Sequence, residues 1–479
     1  MSMIKALHIA TECFPAAKAG GLGDVVGSLP NYFPQEGIEA SVVIPKYDNN
    51  WFRGQEFNTV FESSFYLNNE FIRFRIQKLD ASAVSYPFYC VDIPGKFDRE
   101  SIYLDLDGNG YRDEIERYLS FQRSVLLWMN EREEQFDIVH CHDHQSGLIP
   151  FMMKYCIGFE KLAGTPTVFT IHNAAFLGPI PWSKHTLFPK FKESDGGWLD
   201  WDKYIVSLAA AIKCSWKVTT VSPNYLQEIR EIDTPIRSLY NDEKEKSVGI
   251  LNGIDADQWN PKTDEALFAR YKKSWKEFKK NNQKKFCETF SLKEGLPIIG
   301  FIGRLADQKG ADLIPNAIYQ TMSQNKNVNF VILGTGDKRL EKQLADIDGD
   351  FGGRVKVMLT YNEAIARNIY ASSDFLLMPS RFEPCGLNQL FAMRYGSVPI
   401  VRITGGLKDT VQDIGDDGGG ITFYAATSEE LSRAILRGLD LYSQPKWFEK
   451  VRRENAKKDY SWNNSIKVYS NIYRELLNK

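Results

Sequence analysis

The sequence predicts an α/β protein made of two doubly wound halves in tandem, on three observations. Apolar, strand-like runs alternate with amphipathic stretches along most of the chain. A strand, a glycine-rich loop and a helix open it, and that opening recurs after residue 296. The 479 residues, 43% hydrophobic and 25% charged, are enough for more than one core.

In order, the first half begins with a buried strand at Ile4 to Ala10, a loop around Lys18 to Gly23 and a helix from about Asp24 to Phe33. A strand follows at Ala40 to Ile44. Apolar runs recur at Phe88 to Asp92, Phe136 to His140, Thr167 to Ile171 and Lys217 to Val221. Amphipathic stretches such as Glu114 to Asn130 lie between several of them, and residues 60 to 90 read as a β-rich insertion.

A turn-rich connector, Asn252 to Asp255 and Trp259 to Pro261, leads to a Lys-rich helical segment from Asp264 to Phe290. That charge run is expected to be a solvated helix face. The second half starts with a strand at Leu296 to Arg304 and a helix at Ala311 to Met322. Strands at Val328 to Leu333, Val355 to Leu359, Phe375 to Met378 and Val398 to Val401 follow. The expected division is residues 1–248, 249–458 and a tail, 459–479. Ligands of open α/β sheets bind at the carboxyl ends of the strands, so function is sought in the loops there.

Composition narrows the partners. Lys plus Arg number 59 against 61 for Asp plus Glu, and a net charge of −2 offers no field for a nucleic acid or an anionic membrane. The 13% of aromatic residues suits either a large core or flat rings for a sugar or base. Seven scattered cysteines without a C-x-x-C pair argue against a disulfide framework and a zinc ribbon, and favour a reducing cytoplasm. The N-terminal run reads as a strand and not a signal peptide. The most apolar stretch elsewhere, Tyr204 to Ile212, is about half of what a bilayer span needs.

Several loops carry candidate chemistry. Lys18-Ala19-Gly20-Gly21-Leu22-Gly23-Asp24 can turn backbone N–H groups and a helix N-terminus toward an anion, with Lys18 adding a charge; a plain tight turn is the alternative. Arg304 and Lys309, five residues apart after a strand, suit a diphosphate leaving group, or are simply surface cations. Glu383, at a strand end ahead of Gly386, can accept hydrogen bonds from sugar hydroxyls. Thr404-Gly405-Gly406-Leu407 opens another helix after a strand, a second anion site.

Taken in order, these motifs resemble those of bacterial glycogen synthases and plant starch synthases. They include His142-Asp143, Thr170-Ile171-His172-Asn173, Val221-Ser222-Pro223, Leu251-Asn252-Gly253-Ile254-Asp255 and Arg381-Phe382-Glu383-Pro384-Cys385-Gly386-Leu387. The resemblance runs from residue 3 to Tyr460-Ser461-Trp462. It implies a GT-B fold, two Rossmann-like domains facing across a cleft, with the last helix returning to the first domain. It also implies retaining transfer of glucose from ADP-glucose to the non-reducing end of an α-1,4-glucan, releasing ADP, with no cofactor or metal required.

By the same resemblance, His172, Asp143, Arg304, Lys309 and Glu383 are the catalytic set. The nucleotide sugar is met by Lys18, Gly20, Gly21, Arg304, Lys309, Tyr361, Glu383, Cys385, Gly386, Leu387, Thr404, Gly405 and Gly406. The acceptor side takes Lys18, Tyr103, Asp143, His172 and Asn252. Because these residues divide between the halves, closure of a hinge is expected to assemble the site. The alternatives are a GT-B transferase with another nucleotide sugar or acceptor, and a non-catalytic glucan- or calcium-binding protein.

Two other patterns compete for attention. Asp105 to Glu116 fits an EF-hand calcium loop, with Gly110 sixth and Glu116 twelfth, although a strand and Pro94-Gly95 precede it. His140, His142 and His144 alternate at a strand end and could converge on one ion. The chain also departs from the family pattern. Ala19 replaces a common Thr, His144-Gln145 stands where Trp-His is frequent, and Phe391 sits where a Glu or Tyr serves the ribose.

Overall fold

A computed structural model describes residues 3–80, 83–105, 108–324 and 327–478. The chain forms two compact units. Unit 1 comprises residues 1–221, 226–253 and 462–479, and unit 2 comprises 222–225 and 254–461.

Unit 1 holds, in chain order, β1 (Ile4–Ile9), β2 (Ile38–Pro45), β3 (Phe57–Leu67), β4 (Glu70–Leu79), β5 (Phe88–Asp92), β6 (Ile138–His142) and β7 (Thr167–Ile171). Three short strands, β8 (Pro179–Ile180), β9 (Asp200–Trp201) and β10 (Tyr204–Val206), precede β11 (Lys217–Thr220) and β12 (Ser247–Gly249). Nine of them form one sheet in the order β12-β11-β7-β6-β1-β2-β5-β4-β3, while β8-β10-β9 make a small antiparallel one. The large sheet is parallel from β12 to β5. Its far edge is the antiparallel hairpin β3–β4, the β-rich insertion of the sequence.

Unit 2 holds β13 (Ile298–Ile302), β14 (Asn329–Leu333), β15 (Val355–Met358), β16 (Phe375–Met378), β17 (Val398–Arg402) and β18 (Ile421–Phe423). They form an all-parallel sheet, β15-β14-β13-β16-β17-β18. Parallel strands buried on both faces are near-continuous apolar runs, and for that reason β13 to β17 were expected from the sequence, whereas the three-residue β18 was not.

Several element bounds differ from expectation. The first helix runs only from Gly21 to Ser28 and continues as a 3₁₀ helix, Leu29–Glu36. Pro34 within that stretch has no N–H for an α-helical bond. β6 begins at Ile138 and extends to His142, two residues beyond the expected end, which places both His140 and His142 in the strand. The Lys-rich segment is helical only from Trp275 to Phe290. Its face is also not wholly solvated. Lys279 is buried, and its ammonium donates to the Tyr370 and Ser373 carbonyls and to Ser397 Oγ at 2.7–2.9 Å.

The terminal helix, Trp462–Leu477, packs into the core of unit 1. Trp462, Ile466, Tyr469, Ile472, Tyr473 and Leu476 share a helical face and meet Ala6, Val25, Leu29, Phe33 and Ile138. All seven cysteines are free and buried. Among the described residues no helix is long and apolar enough to cross a membrane.

Candidate active site

In unit 1 Lys18, Asp143 and His172 follow the carboxyl ends of β1, β6 and β7, Asn252 follows β12, and Tyr103 lies between β5 and the helix Glu114–Glu131. The loop after β1 is organised by Glu12, a residue absent from the sequence reading. Glu12 Oε2 accepts the N–H groups of Ala19 and Gly20 at 2.6 and 2.8 Å, and Oε1 accepts the Tyr103 hydroxyl at 2.6 Å. Burial raises the Glu12 carboxyl pKa while these donors oppose the rise. Thr11 Oγ1 also lies 3.0 Å from the Tyr103 hydroxyl. The Gly20 N–H is therefore taken by a carboxylate of the chain itself, contrary to the expectation that it faces an anion. Gly21, the first residue of the helix, is exposed. Lys18 Nζ pairs with Asp24 at 2.6 Å.

Asp143 and His172 are brought together. Asp143 directly follows β6 with φ 57° and ψ 174°, a conformation strained for a residue with a Cβ and costing ~1–3 kcal/mol. The strain turns Asp143 Oδ1 onto the backbone N–H groups of His172 and Asn173, at 2.7 and 3.3 Å. Burial pushes the Asp143 carboxyl up to about 7 against those donors, and lowers the His172 imidazole to about 3. His172 Nε2 lies 2.9 Å from His142 Nδ1. Asn252 is buried, and its Oδ1 has no hydrogen-bond partner among the described residues.

His140, His142 and His144 do not converge. His144 lies beyond β6 in a 3₁₀ turn, against Gly178 and Phe176. The rings that gather instead are His8, His140 and His142, because the β1–β6 register sets His8 beside His140.

The calcium-loop pattern is also not realised as a helix-loop-helix. No helix leads into it, and the helix Glu114–Glu131 begins within it. Glu116 pairs with Lys184 and Asp113 with Arg99, at 2.6 and 2.7 Å. Asp107, the third position, lies outside the described residues.

In unit 2 two loops are stitched side by side. Lys309, in the loop after β13, meets both oxygens of Glu383, in the loop after β16, at 2.8 and 2.6 Å. Ser380 Oγ donates to Glu383 at 3.0 Å. Glu383 is only 5% exposed, so its carboxylate is held by partners and not by bulk water. Exposed Arg304 reaches Gln308, whose side chain donates to the Phe382 carbonyl at 3.3 Å. Gly310, at φ 68°, allows the close approach: a Cβ there would lie 2.2 Å from the Pro379 carbonyl oxygen.

Gly405 and Gly406 have a packing reason as well. Cβ atoms there would lie 2.0 Å from the Glu383 carbonyl oxygen and 2.4 Å from that of Cys385. The Gly406 N–H donates to the Glu383 carbonyl, and so is not free for an anion as the sequence reading supposed. Thr404 caps this short helix, Gly405–Thr410. Cys385 is buried, Gly386 takes φ 75°, and Leu387 caps the helix Asn388–Arg394. Tyr361 is 72% exposed, open to stack on a planar ring. Phe391 is buried, stacked on Trp259 with ring centroids 3.7 Å apart. Its position thus belongs to the core.

The family comparisons bear on both units. Residues 5–237 match the model of the starch synthase catalytic domain, and residues 296–440 that of glycosyl transferases group 1. A glycogen synthase of Flavobacterium johnsoniae is 42% identical over 472 residues, covering 98% of each chain. The chain belongs to the glycogen and starch synthase family. A glycogen synthase of Geobacillus thermodenitrificans is 34% identical over 99% of this chain and 98% of its own. The catalytic domain of starch synthase IV from Arabidopsis thaliana, bound to ADP and acarbose, superposes with a TM-score of 0.90 at 31% identity over the whole of both chains. Sucrose-phosphate synthase from Thermosynechococcus elongatus, 16% identical with a TM-score of 0.62 over 99% of each chain, shares the fold.

The fold of this synthase family member is GT-B, and the chain is a glucosyltransferase. What the geometry adds to the family motifs is their support. Glu12, Gln308 and Ser380 hold the loops that carry Tyr103, Arg304 and Glu383. The one sequence signal for Glu12 was a carboxylate three residues beyond β1 and six before Lys18.

Proposed function

We propose that this enzyme transfers glucose from ADP-glucose, with retention, to the non-reducing end of an α-1,4-glucan such as glycogen or a malto-oligosaccharide, and needs no metal. The observation that carries this reading is the Lys309–Glu383 pair with Arg304 on the neighbouring loop. It sets cations for a diphosphate beside a carboxylate for sugar hydroxyls. The ADP held by the Arabidopsis relative supports the choice of nucleotide.

In the reaction the bond from glucose C1 to the diphosphate oxygen breaks and ADP leaves. The acceptor 4-hydroxyl oxygen bonds to C1 on the same face, and its proton passes to the departing phosphate. Arg304 and Lys309 neutralise the charge that grows on the diphosphate. Glu383, held by Lys309 and Ser380, orients glucose hydroxyls and is not a nucleophile. Asp143 holds the backbone of His172, which contacts the glucose. Tyr103 and Asn252 serve the acceptor side, and Tyr361 stacks on the adenine. Seven free, buried thiols suit a reducing cytoplasm.

The test is a donor assay. Purified enzyme with EDTA is expected to elongate a malto-oligosaccharide from ADP-glucose and release ADP. If no glucan primer elicits ADP release, the reading fails.

A further inference from the structure

The strands beneath the candidate residues of unit 1 carry a continuous row of hydrogen bonds. Thr219 Oγ1 lies 2.5 Å from Thr170 Oγ1, which lies 2.6 Å from His140 Nε2. His140 Nδ1 is 2.6 Å from the Tyr473 hydroxyl, which is 3.3 Å from His8 Nε2. His8 Nδ1 is 3.0 Å from His142 Nε2, and His142 Nδ1 is 2.9 Å from His172 Nε2. All of these side chains are buried. They come from β1, β6, β7 and the residue after it, β11 and the terminal helix, so only the folded unit assembles the row.

A neutral imidazole has one donor nitrogen and one acceptor nitrogen. Each link therefore fixes the next, and the row has two states: all four rings protonated at Nε2, or all four at Nδ1. Burial keeps the rings neutral. Burial lowers His8 and His172 to about 3, and it lowers His140 and His142 well below the usual imidazole range, with the neighbouring rings second for that pair.

The Tyr473 phenol chooses between the states. Hydroxyl donors make shorter hydrogen bonds than N–H donors, so the 2.6 Å contact with His140 Nδ1, against 3.3 Å to His8 Nε2, favours donation of its single proton to His140. His140 then donates from Nε2 to Thr170, His8 to the phenol oxygen, His142 to His8, and His172 to His142. His8, His140 and His142 also lie close enough to share a metal ion. All six of their ring nitrogens are engaged in the row, however, and an ion would have to displace those bonds.

We propose that Thr170, His140, Tyr473, His8 and His142 are positioning residues that hold His172 in the Nε2–H tautomer. Its Nδ1 lone pair is thereby left to accept a hydrogen bond from a sugar hydroxyl. The role toward sugar rests on the proposed function; the tautomer does not.

The test is nitrogen NMR of protein labelled with ¹⁵N only in histidine, near neutral pH and without substrate. His8, His140, His142 and His172 are expected as single neutral Nε2–H tautomers. The Nδ1–H form, a tautomer mixture or an imidazolium in the native protein would overturn the proposal. Tyr473→Phe removes the phenol proton with little change of shape. It is expected to release His172 from the Nε2–H form and to lower kcat about tenfold, with KM values within about twofold. A Tyr473→Phe enzyme with His172 still Nε2–H and kcat unchanged would also overturn it. Thr170→Val, at the far end, removes the acceptor of His140 Nε2–H and leaves Tyr473 in place. It is expected to reverse the whole row to Nδ1–H, and wild-type tautomers there would mean that the links are not coupled. Because the tautomers are read without substrate, a failed donor assay and a failed row are distinguishable.

Discussion

At the scale of single residues, the candidate chemistry rests on side chains that hold one another. Lys309 occupies both oxygens of Glu383, so removing the lysine leaves a nearly buried carboxylate with the Ser380 hydroxyl as its remaining side-chain partner among the described residues. Lys309→Ala is expected to lower kcat by about 10²–10³ and to abolish the rise in melting temperature on adding ADP, with circular dichroism unchanged. Unchanged turnover would refute its role at the diphosphate. Lys309 and Glu383 were legible in the sequence because each sits in a motif at a strand end. Glu12 was not, because its importance lies in receiving the N–H groups of Ala19 and Gly20 and the hydroxyl of Tyr103, which is remote in sequence. The same holds for His8, a strand residue whose ring meets His142 across 134 positions.

At the scale of elements, periodicity carried most of the reading, and local chemistry set its limits. The terminal helix was expected from the family resemblance, and from Trp462 to Leu477 its buried apolar positions recur every three or four residues. Ile466, fully buried on that face, packs with Trp462 and Ala6 in the core of unit 1. Ile466→Ala is expected to destabilise the protein by about 3 kcal/mol, seen as a lower urea midpoint. No change would mean that the helix does not hold the unit together. The first helix, expected to reach Phe33, ends at Ser28, and the proline-containing stretch Leu29–Glu36 is a 3₁₀ helix. The Lys-rich segment misled in a different way. Its charges suggested one solvated helix, yet residues 264–274 are irregular and Lys279 is buried against three oxygens.

At the scale of the whole molecule, stability should depend on acidity in a direction set by the buried histidines. Their folded pKa values lie below the ordinary 6.5, to about 3 for His8 and His172, so the folded chain binds fewer protons than the unfolded chain in that window. Their contribution is full above pH ~6.5 and is lost as the pH falls, at up to about 1.4 kcal/mol per pH unit for each ring. Urea midpoints are expected to fall between pH ~7 and ~5, and a flat profile would show that the rings already carry protons in the folded state. The sequence by itself determined the α/β class, the tandem repeat of strand, loop and helix, and the order of the family motifs. All three are written in local pattern, in runs of apolar residues and in glycines beside charged residues. Only the tertiary structure decided which donors remain open to a ligand. The N–H of Gly20 goes to Glu12 and that of Gly406 to a carbonyl, His144 parts from His140 and His142, and Tyr473 joins them from the far end of the chain. Such pairings depend on strand register and packing between residues up to 465 positions apart, and no local pattern encodes them.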